Sequence, residues 1–133
     1  MNQRSFGHAS TPRIVITGMG AITNIGVNAH SAWAAMREGK SGISNIEGAE
    51  FDVYRGRWGI DISGQVKNWE PPHIDSRESK RYDRFAILGL SAAIEAVTHS
   101  GIDFAKEDPE RCGVIIGSGI GGIKTIEDGE ILL

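Results

Sequence analysis

The stretch Arg111-Cys112-Gly113-Val114-Ile115-Ile116-Gly117-Ser118-Gly119-Ile120-Gly121-Gly122 decides how this chain is read. Val114-Ile115-Ile116 is a short β-branched run, the pattern of a strand buried on both faces. Glycines at 117, 119, 121 and 122 follow at once. Glycine is placed where the backbone takes positive φ or is approached closely. A strand that opens into such a loop, with a helix after it, is where α/β proteins hold ligands. Two readings of the loop stand at this point. Gly117-x-Gly119-x-x-Gly122 fits the dinucleotide fingerprint, in which a pyrophosphate rests on a helix N-terminus. The same glycines also suit a tight, close-packed turn with no ligand. The acidic residue that the fingerprint wants about 20 positions on falls past Leu133, so that check does not apply.

Working outward, the bulk composition narrows the field. The 133 residues allow one domain at most. A chain that is 40% hydrophobic and 23% charged has ordinary soluble composition. Its net charge of −3 provides no general attraction to nucleic acid or anionic membrane. One cysteine excludes an internal disulfide and a multi-cysteine metal site. No apolar run approaches a membrane span. Residues 1–12 are polar and lack the apolar stretch of a secretory signal. They read as a disordered lead-in carrying a solvated His8, and the expected location is cytoplasmic.

Arg13-Ile14-Val15-Ile16-Thr17 predicts a first strand, closed by Gly18-Met19-Gly20. The turn that follows fails both nucleotide spacings, because Ile22 and Thr23 stand where glycine is required. Asn28 is placed to cap a helix over Ala29–Glu38, with Ala29, Trp33 and Met36 on one side and Gly39 as its stop. His30, in its first turn, reads as a structural or solvent-facing residue rather than a ligand, since no second histidine or carboxylate pairs with it at helical spacing. Lys40–Phe51 reads as loop. From Trp58 to Val66 apolar residues alternate with polar ones, which predicts a half-exposed strand in a small hairpin or edge pairing, with Asp52–Arg57 as its partner or turn. Pro71-Pro72 breaks the chain.

Asp75, with Glu78 three residues on, predicts a helix from Ser76 to Ser100 ended by Gly101. Its start is basic, with Arg77, Lys80, Arg81 and Arg84 relieved only by Glu78 and Asp83. Cations there oppose the helix dipole by a few tenths of a kcal/mol each. The patch is either a solvated helix start or a set of charges kept for an acidic partner. The second part, Phe85 to Val97, is apolar nearly all round. Its Gly89, Ala92, Ala93 and Ala96 suit close approach by a neighbour. His99 suits the helix end, and Ile102–Glu110 is a polar loop.

Several motifs in register carry a resemblance. They are Arg13-Ile-Val-Ile-Thr-Gly-Met-Gly20 with Gly26, Trp33 with Gly39-Lys-Ser-Gly-Ile43, Arg81-Tyr-Asp-Arg-Phe85 with Ala92-Ala93, and Gly113-Val-Ile-Ile-Gly-Ser-Gly-Ile-Gly-Gly122. From about Arg13 onward the chain resembles the N-terminal third of the elongating type II β-ketoacyl-acyl-carrier-protein synthases. The resemblance implies an α/β fold, a partial thiolase-like fold in which residues 13–133 form the N-terminal portion of a layered αβαβα architecture. It implies decarboxylative Claisen condensation in fatty-acid biosynthesis, with polyketide synthesis as the alternative pathway, acyl carrier protein and acyl and malonyl thioesters as partners, a homodimer when complete, and no cofactor or metal. It also implies a nucleophilic cysteine and two histidines beyond Leu133, so no catalytic residue is expected here and the chain reads as a truncated piece, inactive alone. Cys112 reads as a packed thiol with no activating base. Residue by residue, the resemblance makes Ile120, beside Gly119, the floor of an acyl pocket, and makes Arg77, Lys80 and Arg81 the seat of the acidic carrier protein. The alternatives are a non-catalytic chain-length-factor-like subunit and, more distantly, a dinucleotide-binding module. Either way, exposed sheet edges and apolar helix faces make dependence on other protein the expectation.

Overall fold

The computed structural model describes residues 12–57 and 59–131. All but the last residue of the expected lead-in, including His8, and Trp58 of the alternating stretch lie outside the described residues. Secondary structure runs α1 (Ala29–Arg37), β1 (Ser44–Asn45), β2 (Ile62–Ser63), α2 (Ser76–Ser79), α3 (Arg84–Ser100) and α4 (Ile123–Ile131), with single 3-10 turns between.

Helix α1 begins where a capping box forms. The Asn28 Oδ1 accepts from the Ser31 amide at 2.7 Å, and the Ser31 hydroxyl accepts from the Asn28 amide at 3.3 Å. Gly39, at φ 67°, follows the last turn in the left-handed region that stops a helix. The face that is buried is not the one periodicity suggested. Trp33 and Met36 are 60% and 61% exposed, whereas Ala32 and Ala35 are buried. The reason is close approach: a Cβ on Gly26 would collide with the backbone of Ala32, so only small residues fit that side.

Helix α3 is the element on which the N-terminal segment lies. Gly18 and Gly20 run so close to it that a Cβ on either would strike the carbonyl of Ala96 or Ala92. The small residues at 92 and 96 thus do admit a neighbour, and the neighbour is the chain leaving Arg13–Thr17. Gly101, at φ 66°, closes the helix as expected.

The single long helix expected over Ser76–Ser100 is two helices. Asp75 caps α2 by accepting from the Arg77 amide at 2.6 Å. The chain then leaves helical geometry, and Asp83, at φ −63° and ψ 149°, starts α3 afresh. Tertiary partners explain the break. Arg84 donates to the Val66 carbonyl at 2.8 Å and lies 6.0 Å from the Trp69 ring centre, which ties the start of α3 to the 66–69 segment. Trp69 is one of the few buried apolar residues.

The strands differ most from expectation. The hairpin-like pair joins β1 to β2 antiparallel, Ser44 opposite Ser63 and Asn45 opposite Ile62. The partner of the alternating stretch is therefore the segment read as loop, and Asp52–Arg57, expected as its partner or turn, is the turn: a 3-10 and turn segment in the connection between β1 and β2. Lys67 fastens this pair through Ser44, the Asn45 carbonyl and Glu47. Arg13–Thr17 and Val114–Ile116 have no regular secondary structure and join no ladder among the described residues. Ile14 is 92% exposed and Ile115 fully so, the reverse of a strand covered on both faces. A β-branched run becomes a buried strand only when neighbours pair with it, and none of the described residues does so. The chain accordingly exposes 11842 Å², against about 6,800 Å² for a compact monomer of this mass.

Candidate functional site

The glycine loop sits on the α2–α3 junction. Asp83, at the head of α3, makes no side-chain cap to its own helix. Its carboxylate instead accepts from the Thr125 hydroxyl in the first turn of α4. It also lies against Gly122, where any Cβ would overlap it. The Phe85 ring is 3.8 Å from the position a Cβ on Gly121 would take. Gly121, at φ 83°, turns the chain into α4. An acidic group at the start of a helix favours that helix, and here the acid comes from another element. This arrangement bears on the dinucleotide alternative. The place where that reading rests a pyrophosphate is taken by a carboxylate, which would repel it.

Ile120 stands one residue before this turn and is 77% exposed; Gly119 beside it is exposed with open space around its Cα. Arg77, Lys80 and Arg81 are exposed on α2 and the break after it. Among the described residues, ion pairs engage Lys40, Arg55, Lys67, Lys106 and Lys124, and none engages these three. The helix break also removes the dipole cost expected for Lys80 and Arg81, since both follow the short helix rather than opening a long one. The structure thus brings the basic turn and the glycine loop to the same end of α3, joined through Asp83.

Cys112 is exposed rather than packed, and its thiol lies 3.4 Å from the Asp108 carbonyl. The Val114–Ile116 run that follows it is exposed too and joins no ladder among the described residues. His30 is exposed, as read from sequence. His99 is more than a helix-end charge: its Nδ1 accepts from the Met19 amide at 3.1 Å. No group of three or more His, Cys, Asp or Glu able to hold a metal occurs among the described residues. No helix there is long and apolar enough to cross a membrane.

Sequence reading missed Glu95 and undervalued Asp83. The Glu95 carboxylate accepts from the Ala21 amide at 2.9 Å and from the Ala29 amide at 2.8 Å. It pins both the turn after Gly20 and the start of α1 to α3. Its signal was a lone charge inside the small, apolar run Ala92–Val97.

A family model described as Beta-ketoacyl synthase, N-terminal domain, matches residues 11–131. The chain belongs to the β-ketoacyl synthase family. This ketoacyl synthase segment is 38% identical over 125 residues to "3-oxoacyl-[acyl-carrier-protein] synthase 2" of Vibrio harveyi, covering 93% of the chain and 29% of that protein. It is 39% identical over 116 residues to the protein of the same name in Staphylococcus aureus strain COL, covering 86% of the chain and 27% of that protein. Against the Vibrio cholerae counterpart the identity is 37% over 121 residues, 90% of the chain and 28% of that protein. The chain therefore spans under a third of the curated relatives it matches. Membership makes this ketoacyl synthase segment an α/β chain, and the exposed runs Arg13–Thr17 and Val114–Ile116 join no ladder among the described residues.

Proposed function

We propose that residues 13–133 are the N-terminal part of a 3-oxoacyl-[acyl-carrier-protein] synthase domain of the layered αβαβα thiolase-like type, working in the cytoplasm in fatty-acid biosynthesis. The observation that carries this reading is the match to "3-oxoacyl-[acyl-carrier-protein] synthase 2" proteins over nearly the whole chain. In such a reaction a cysteine thiolate attacks an acyl thioester on the carrier, the acyl group moves to the cysteine, and the carrier thiol leaves. Malonyl-carrier protein then loses carbon dioxide, and the resulting carbanion attacks the acyl-cysteine thioester, expelling the thiolate and leaving a 3-oxoacyl chain on the carrier. The cysteine and the two histidines that this chemistry needs are assigned to sequence beyond Leu133. Cys112 is given no part in this chemistry: its exposed thiol lies 3.4 Å from the Asp108 carbonyl.

The parts assigned to this chain are recognition and shape. Arg77, Lys80 and Arg81 receive the acidic acyl carrier protein. Their exposure, and the absence of ion pairs to them among the described residues, support that role, because a cation already paired steers an incoming partner less. Ile120 and Gly119 form the floor of the acyl pocket: a branched side chain stops an alkyl chain by occupying its volume, and a glycine next to it lets the backbone pass close by. The pocket's remaining walls, and the homodimer partner, are assigned to protein outside residues 12–131. The exposed Arg13–Thr17 and Val114–Ile116 runs support this, since each is apolar backbone awaiting neighbours.

The test is charge reversal of Arg77, Lys80 and Arg81 to Glu in the full-length polypeptide that carries this sequence. Condensation with carrier-bound acyl chains should fall at low salt and the deficit should shrink as salt rises, while short carrier-free thioesters react as before. Unchanged rates with the carrier at low salt would return the patch to a solvated surface.

A further inference from the structure

We propose that Asp83 is a positioning residue that couples occupancy of the basic turn at 77–81 to the setting of Ile120. This rests on the reading of those residues as carrier seat and acyl-pocket floor. The argument begins with an unused cap. An Asp at the N-cap ordinarily accepts from the second or third amide of its own helix, yet Asp83 makes no such bond. Its carboxylate reaches across to Thr125 of α4 and presses on Gly122. The adjoining Phe85 ring lies along Gly121. Asp83 follows Arg81 by two residues, and Gly121 follows Ile120 directly. One residue therefore belongs to both the non-helical break that carries Lys80 and Arg81 and the seat of the loop that carries Ile120.

The break makes the coupling mechanical. Had 76–100 been one helix, Asp83 would be held by intrahelical bonds and deaf to what happens at Arg77. Instead α2 ends at Ser79, and Lys80–Asp83 connects two separate helices. A partner that grips Arg77, Lys80 and Arg81 orders this connector, and its far end is the carboxylate that Thr125 holds. Small displacements at the connector pass to residues 121–125 because contact between them is direct, through one hydrogen bond and one close-packed glycine. Delivery of a chain by its carrier thus sets the pocket floor, and a chain delivered without the carrier meets a looser floor.

The experiment compares kcat/KM against acyl length for saturated chains on acyl carrier protein and for the same chains on N-acetylcysteamine thioesters, in the full-length polypeptide. The unsubstituted protein should show a sharper length limit with the carrier. Asp83→Ala should make the carrier profile match the carrier-free one, with about a fivefold or larger change for the longest chains, while KM for short carrier-bound chains stays within about twofold because the three cations remain. Asp83→Asn, which keeps an oxygen for Thr125, should retain most of the sharper limit. Thr125→Val should reproduce the loss without altering charge, and it carries the test if Asp83→Ala does not fold. Identical length profiles for the two delivery forms in the unsubstituted protein, or an unaltered carrier profile in Asp83→Ala and Thr125→Val, would overturn the coupling. If reversing Arg77, Lys80 and Arg81 weakens carrier use while these variants change nothing, the coupling alone has failed. If the reversal also changes nothing, the carrier seat itself has failed.

Discussion

Replacing Glu95 should loosen the molecule where its N-terminal segment meets α3. Its two carboxylate oxygens each accept one backbone amide, from Ala21 at 2.9 Å and Ala29 at 2.8 Å. Hydrogen bonds to an ionised group contribute roughly 1.5–3 kcal/mol each. Both contacts are only partly buried, so water recovers some of the loss and the lower figure applies. Glu95→Ala should therefore cost about 3 kcal/mol locally, reduced by a few tenths because Ala is the better helix former. The Ala29 amide is one of the helix-start donors with no intrahelical partner, so nothing in α1 replaces the lost acceptor. Glu95→Gln keeps one acceptor oxygen and should cost about half as much. Amide hydrogen exchange in the full-length polypeptide reads this directly: protection at Ala21 and Ala29 should fall roughly a hundredfold in Glu95→Ala. Urea unfolding provides the global value, with Glu110→Ala, on an exposed residue, as the control. Exchange at both amides within twofold of the unsubstituted protein, with destabilisation no larger than the control's, would refute the staple.

Gly20→Ala should cost about 1–3 kcal/mol by overpacking against the Ala92 carbonyl; Gly89→Ala, with open space at its Cα, should be neutral or slightly stabilising, and equal melting temperatures for the two would contradict the packing. Asn28→Ala should cost about 1 kcal/mol through loss of the α1 capping box, and Asn28→Ser should recover most of it in the same unfolding measurement. Ile120→Phe in the full-length polypeptide should lower kcat/KM for the longest accepted chains about tenfold or more and spare short ones; an unchanged length profile would remove Ile120 from the pocket.

The sequence by itself determined the local punctuation of this chain. Asn28 and Asp75 announce helix starts, and Gly39 and Gly101 announce stops, because caps and left-handed glycines act within a few residues of themselves. It also determined the family, through motifs spread from Arg13 to Gly122. Tertiary structure alone decided the rest. The split of Ser76–Ser100 into two helices depends on Arg84 finding Val66 and Trp69, and on Asp83 finding Thr125, partners 15 to 42 residues away that no local pattern encodes. The buried side of α1 depends on Gly26 closing onto Ala32. Glu95 looks like a stray charge until two amides, 66 and 74 residues earlier, are seen to point at it. The strands show the converse: Val114–Ile116 carries every local mark of a sheet core yet lies exposed, because a strand's burial is a property of its neighbours and periodicity reports only its readiness for them.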